Sequence, residues 1–410
     1  MSSARQVIKI NNWQSVSALG SDFDSVLKSY QQNQSLFSVF KNSAESKLVS
    51  SLDSKHEQEL SDLRSAHKNY SRLDRVVLLA QLAARKLMKN VELKSVEEIG
   101  INIGSSRGAT GLWESFYSQF AQEKNLSPYC SPTTTAGNLS SWVARDLAST
   151  GLAFSHSVTC STGLHAILNA AAWLKAGFSK RVIAGGAEAA LTPFSLAQME
   201  ALGIYTHRTS DSFPCLALGK KDENENTFVL GEGCALFDLS VLPESQISDQ
   251  DIVIEGFGFA NEIPSGTTSI SSEGSALQLS MQRALADIQG DVDVVVTHAP
   301  GTCLGDAAEV QACLAVFSLR NQAKLPALTT NKHLIGHTFA ASGPLSLEFA
   351  IQMLLAGQVF IPTYPAISSE LEISWQQADL LQPKRILVSA TGFGGNAVSV
   401  IVTLGRHIYR

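Results

Sequence analysis

Short apolar strands alternating with alanine-rich helices predict an α/β fold, a largely parallel sheet covered by helices. The strand signal is clearest at 99–104, 181–188, 293–298 and 385–390. The helix signal runs through 161–176, 305–318 and 341–356. A mostly polar connector at 238–251, holding Pro243, separates two halves that both read β-α-β. The predicted division is 1–243 and 244–410, a structural duplication without a visible sequence repeat.

In chain order, the first ninety residues read as a small strand and several helices. Residues 52–90 carry helical periodicity with Arg64, Lys68, Arg72, Arg75, Arg85 and Lys86. Ile-Gly-Ile-Asn-Ile-Gly at 99–104 is a buried strand running into a Gly/Ser turn, and 181–188 reads the same way. In the second half, 293–298 ends on His298 and 385–390 runs into a glycine loop. No stretch is low in complexity.

Bulk properties narrow the function classes. A chain of 410 residues fills one large core or two ordinary domains. With 44% hydrophobic residues and mean hydropathy near zero it reads as a soluble globular protein. No apolar run of about 18 residues predicts a membrane helix, and the first residues lack a secretory signal. Cys130, Cys160, Cys215, Cys234, Cys303 and Cys313 form no CxxC pair, which argues against structural zinc or a dithiol redox motif. Reduced thiols in a long chain point to the cytoplasm. A net charge of −6 disfavours nucleic acid as a partner.

The chemistry begins at Ser157-Val158-Thr159-Cys160-Ser161-Thr162-Gly163. Strand-like residues precede Cys160 and a helix follows, so its sulfur would meet the first helical N–H groups. Those dipoles favour a thiolate and predict a lowered pKa. A buried structural thiol is the alternative.

Two histidine loops weigh against that alternative. His298, in Thr297-His298-Ala299-Pro300-Gly301-Thr302, ends a predicted strand, where α/β sheets open onto a crevice. His337 lies in Lys332-His333-Leu334-Ile335-Gly336-His337, with Gly336 allowing a tight turn beside it. His333 has no such glycine and reads as solvated. The HxxxH spacing of His333 and His337 fails as a metal motif because Gly336 makes a turn; no metal is expected. Gly392-Phe393-Gly394-Gly395 follows a strand and is either a mobile, oxyanion-facing loop or an ordinary turn. One thiol and two imidazoles at strand ends suggest acyl-thioester chemistry with neutral donors.

These ordered motifs resemble the β-ketoacyl-acyl carrier protein synthases, condensing enzymes of the thiolase superfamily, from about residue 70 onward. The resemblance implies a thiolase-like fold, its two duplicated halves layered α-β-α-β-α. It implies that Cys160 takes the acyl chain, that His298 and His337 hold the malonyl thioester, and that Lys332 and the gating Phe393 complete the catalytic set. Thr302, Gly394, Gly395, Met199 and Arg107 would bind substrate. No cofactor is implied, since substrates ride on the phosphopantetheine of an acyl carrier protein. The partners implied are that carrier and a second synthase-like chain. The two would form a homodimer or heterodimer joined at an edge strand following the Cys160 motif. Two histidines rather than a His-Asn set point to the elongating type, in fatty acid, type II polyketide or aryl polyene biosynthesis.

Several positions depart from the family pattern. Ala299-Pro300 replaces a usual Gly-Thr, and Ser346 stands where a glutamate often pairs with the lysine. Thr391 replaces an aromatic, and Arg107 occupies a place usually small or aliphatic. A chain-length-factor-like, non-catalytic subunit is therefore the second reading, and a cysteine hydrolase the third. For carrier docking, Arg64, Lys68, Arg72 and Arg75 read as one basic helical patch.

Overall fold

The computed structural model describes residues 5–40, 46–89, 91, 98–136, 138–209, 213–263, 271–320, 322, 324–378 and 381–408. Ten strands form one mixed sheet. The first half supplies β1 (Gln6–Ser17), β2 (Gly100–Gly104), β3 (Ala153–Phe154), β4 (Arg181–Glu188) and β5 (Gly233–Pro243). The second supplies β6 (Ile252–Asn261), β7 (Val294–Val296), β8 (Ala327–Thr329), β9 (Arg385–Gly392) and β10 (Asn396–Leu404). Their order is β8-β7-β9-β10-β6-β1-β5-β4-β2-β3. Read outward from the centre, β1-β5-β4-β2-β3 and β6-β10-β9-β7-β8 have the same topology. The two join through a short antiparallel contact, Ile8 to Ile10 against Ile252 to Ile254.

The sheet is less parallel than the sequence predicts. β2 pairs in parallel with β3 and β4, and β7 with β8 and β9. The pairings β1–β5, β1–β6, β4–β5, β6–β10 and β9–β10 are antiparallel. The first strand is also long, not small, and lies in the middle of the sheet. The expected connector begins too early: Asp238 to Pro243 belong to β5, and buried Asp238 binds Arg181 across the sheet. A polar strand end looks like a linker until its cross-strand partner is known.

Alternation along the strands separates the layers. Val182, Ala184, Val294 and Val296 face one core with the helices α1 (Thr162–Ala176) and α2 (Ser342–Ala356). Ile183 and Leu236 face a second core under the helix Arg75–Leu87. Val295 and Leu387 face a third under Ser275–Ala284. The layers therefore run α-β-α-β-α. Close approach at the centre needs glycine: a Cβ on Gly163 would sit 2.3 Å from the Ala340 carbonyl.

The apolar segment Phe339–Ala356 is long enough to cross a membrane, but 89% of it is buried inside the fold, as a core helix is. All six cysteines are free thiols. The basic stretch is not one helical face. Arg64 ends a helix at Ala66, Arg72 lies in a separate turn over the Tyr129 ring, and Arg75 is held by Glu57 and Glu232. The sheet has two edge strands: β3, with Phe154 exposed and Leu152 exposed just before it, precedes Cys160, and β8 follows it.

Candidate active site

Cys160 sits two residues before α1, in a tight turn that forces Thr159 to φ +55. A β-branched residue there is strained, at a cost of order 1–3 kcal/mol. Its neighbours hold it in place. The Thr159 carbonyl accepts from Ser106 Oγ at 2.7 Å, and the Thr159 hydroxyl donates to the Phe393 carbonyl at 3.1 Å. Ser161 Oγ donates to Asn396 Oδ1 from the far half of the chain. The nucleophile turn and the glycine loop are thus tied together.

His298 follows β7. Its amide and that of Ala299 donate to Glu309 at 2.8 and 2.6 Å, and Ser389 Oγ donates to the same carboxylate at 2.7 Å. Glu309, on the helix Cys303–Ser318, therefore sets the His298 loop. Asp306 in the first turn of that helix accepts from the Gly301 and Leu218 amides and from Lys221. Neither acid stood out in the sequence, because helical spacing alone does not say which side chain faces a loop.

The short helix Lys332–Ile335 ends at Gly336, with φ +63, where a Cβ would sit 2.4 Å from the Val229 carbonyl. That turn sends the two histidines apart. His333 is buried, not solvated, and its Nε2 meets Asn33 Oδ1 at 2.5 Å. His337 turns inward, its ring 5.0 Å from that of His298, with Phe228 and Phe339 packed around it.

Cys160 Sγ and the nearest ring nitrogens of His298 and His337 lie within 4.8 Å of one another. As sulfur and nitrogen donors they could also hold a thiophilic metal ion, which would cap the thiol. Burial pushes the Cys160 thiol up to about 12, with the nearby Glu188 carboxylate adding to it and Arg107 opposing it. Burial thus moves the thiol in the opposite direction to the lowering expected from a helix terminus. Burial, then the Lys332 charge, hold His337 down at about 3, and burial with the facing His337 holds His298 well below its ordinary value.

Two chambers meet at this thiol. One, of about 980 Å³, is lined by Arg107, Trp113, Tyr117 and Phe194. The other, of about 470 Å³, is lined by His298, Thr302, Asn226 and His337. Cys160, Met199, Phe339 and Phe393 belong to both. Arg107, Met199, Thr302 and Phe393 thus stand where substrate would pass. Gly394 and Gly395 do not line either chamber; their φ values of +93 and +78 close the β9–β10 turn. Lys332 lies behind the site, buried, with Nζ bonded to Asn331 Oδ1 at 3.0 Å and Ser346 Oγ at 2.9 Å. Burial lowers it to about 8, against the pull of Glu309 and Cys215. Cys303 also begins a helix and lines the second chamber, but its Sγ contacts the Glu225 carbonyl at 2.7 Å.

A thiol between two neutral imidazoles, at the junction of two chambers in a duplicated α/β fold, defines a covalent acyl-transfer enzyme. Residues 11–244 match the β-ketoacyl synthase N-terminal domain, and residues 252–365 its C-terminal domain. The chain belongs to the β-ketoacyl synthase family and is a condensing-type acyltransferase. It is 29% identical over 334 residues to a 3-oxoacyl-[acyl-carrier-protein] synthase homolog of Saccharomyces cerevisiae, covering 76% of this chain and 72% of that protein. It is 28% identical over 354 residues to 3-oxoacyl-[acyl-carrier-protein] synthase 2 of Vibrio harveyi, covering 82% and 83%. The solved ishigamide ketosynthase/chain length factor shares the fold, with a TM-score of 0.82 at 16% identity, covering 98% of this chain and all of that one.

Proposed function

We propose that the chain is a β-ketoacyl-acyl carrier protein synthase, acting in fatty acid or polyketide chain elongation. The observation that carries this reading is the place of Cys160, where two chambers meet beside two neutral imidazoles. The Cys160 sulfur attacks the carbonyl carbon of an acyl thioester. The new S–C bond replaces the bond to the pantetheine sulfur, which leaves with the Cys160 proton. The acyl chain then occupies the larger chamber. A malonyl thioester enters the smaller one, and His337 donates to its carbonyl oxygen. Loss of CO2 leaves an enolate, whose carbon attacks the acyl carbon. Cys160 departs and regains a proton from solvent. Backbone N–H groups of Cys160 and Phe393 are the donors we assign to the oxyanion.

The substrates arrive on a carrier protein and no cofactor takes part. We place the reaction in the cytoplasm. The exposed edge strand β3 offers a surface for a second synthase-like chain, identical or related. A chain-length-factor-like role is the second reading, favoured by Ser346 beside Lys332 and by Ala299-Pro300 after His298. The retained thiol and imidazoles favour catalysis.

The deciding experiment follows acyl transfer from acyl carrier protein to the chain by intact mass, together with CO2 release from malonyl carrier protein. Catalysis requires one acyl group per chain, lost in Cys160→Ala. A chain that never acylates, yet is required for turnover by a partner synthase, would be the non-catalytic subunit.

A further inference from the structure

The larger chamber holds one group that this chemistry does not use. Arg107 follows β2, and its backbone N–H is anchored to the buried Glu188 carboxylate at 3.3 Å. Its guanidinium lies 5.0 Å above the Phe339 ring, and Nη1 donates to Gln198 Oε1. Among the described residues, no other hydrogen bond takes up its side-chain hydrogens. A guanidinium carries five N–H donors in a fixed plane, so most of this one is unspent. It faces the same chamber as Cys160 and bears on that thiol electrostatically.

The surroundings narrow what would satisfy it. Trp113, Tyr117, Phe194 and Met199 make the rest of the wall largely apolar. The other charged lining group is Glu114, whose carboxylate accepts the Thr192 hydroxyl. A saturated acyl chain would suit the aromatic wall but displace water from Arg107 without replacing its hydrogen bonds, which is costly. A chain ending in a carboxylate would pair with the guanidinium, but only by stripping water from a full charge against the aromatic wall, a cost that such pairing need not recover. A neutral carbonyl oxygen within the chain avoids both costs. Sites built to hydrogen-bond a polar substrate group reject analogues that lack it.

We propose that Arg107 selects acyl groups carrying a neutral oxo oxygen within the chain over saturated ones, by donating its free N–H groups to that oxygen. The proposal rests on Cys160 as the acyl acceptor. It is tested on the full chain with carrier-bound octanoyl, mono-oxo-octanoyl and suberyl thioesters, reading kcat/KM for acylation of Cys160 by intact mass. The native protein should take an oxo chain about 10- to 100-fold faster than octanoyl, with suberyl slowest. In Arg107→Leu the oxo-to-octanoyl ratio should collapse toward one, while Arg107→Lys keeps part of it. A native protein without the preference, or one favouring octanoyl or suberyl, overturns the proposal even if neither variant folds. So does an unchanged ratio in Arg107→Leu. Failure of all three thioesters to acylate the native protein would instead remove the catalytic reading, and this inference with it.

Discussion

His337 Nε2 lies 3.2 Å from His298 Nε2, while His337 Nδ1 accepts the Phe339 amide at 3.2 Å. A neutral imidazole carries one hydrogen, so the hydrogen between the rings belongs to His337 and His298 accepts it. The sequence suggested two donors; at rest the pair is one donor and one acceptor. An incoming malonyl carbonyl would compete with His298 for the His337 hydrogen.

His337→Ala should therefore reduce malonyl decarboxylation by about 10²–10³. Acyl transfer to Cys160 should fall much less. Because His337 is held at about 3 and His298 well below its ordinary value, CO2 release should show no histidine inflection between pH 5 and 7. An inflection near pH 6.5 in the native protein that disappears in His337→Ala would contradict the neutral assignment.

The resting Cys160 thiol is protonated, since burial pushes it up to about 12. Capture by iodoacetamide, followed at the Cys160 peptide by mass, should accelerate roughly tenfold per pH unit between pH 7 and 10. The more exposed Cys130 and Cys303 should react first. A rate at Cys160 that is already flat at pH 7 would mean a preformed thiolate.

Lys332 is buried with two neutral partners, Asn331 and Ser346. The folded protein holds its proton up to about 8, whereas the ordinary lysine value is 10.5. Between those values the unfolded chain binds more protons, so stability rises with pH across that window, by about 3 kcal/mol in all. Denaturant midpoints should show the rise in the native protein and not in Lys332→Met. Ser346→Glu places a carboxylate beside the ammonium, which should raise the folded pKa and flatten the slope. Equal slopes in native protein and both variants would disprove the buried-lysine account.

The bond from Thr159 Oγ to the Phe393 carbonyl links the nucleophile turn to the loop between the chambers. Thr159→Val keeps the side-chain shape and removes the donor. It should lower kcat/KM for acyl transfer by about 3- to 10-fold, with Thr159→Ser restoring most of it. Equal losses in both variants would assign the effect to packing rather than to the hydroxyl.

Much of this site was legible in the chain. Helices at 161–176, 305–318 and 341–356 match Thr162–Ala176, Cys303–Ser318 and Ser342–Ala356 within a few residues. Their apolar composition and the glycines after two of them are local signals. The loops holding Cys160, His298, His337 and Phe393 were recognisable because each follows a strand or carries a glycine turn, and both are written in neighbouring residues. The antiparallel half of the sheet was not legible. Whether β5 runs with or against β4 depends on how the chain returns, which alternation along a strand does not record.

The sequence by itself determined which groups are available: a thiol before a helix, two imidazoles, a lysine with serine in place of a glutamate, and an arginine after β2. Tertiary structure alone decided their state. Ser161 and Asn396 are 235 positions apart, and Glu309 reaches the His298 loop from a separate helix. Burial raised the Cys160 thiol where a helix terminus alone would lower it, and the packing of the halves seated His333 against Asn33 and brought His298 up to His337. The physical reason is that hydrogen-bonding type and turn preference belong to a residue and its neighbours, whereas desolvation and through-space charge depend on atoms brought together only when the two halves close.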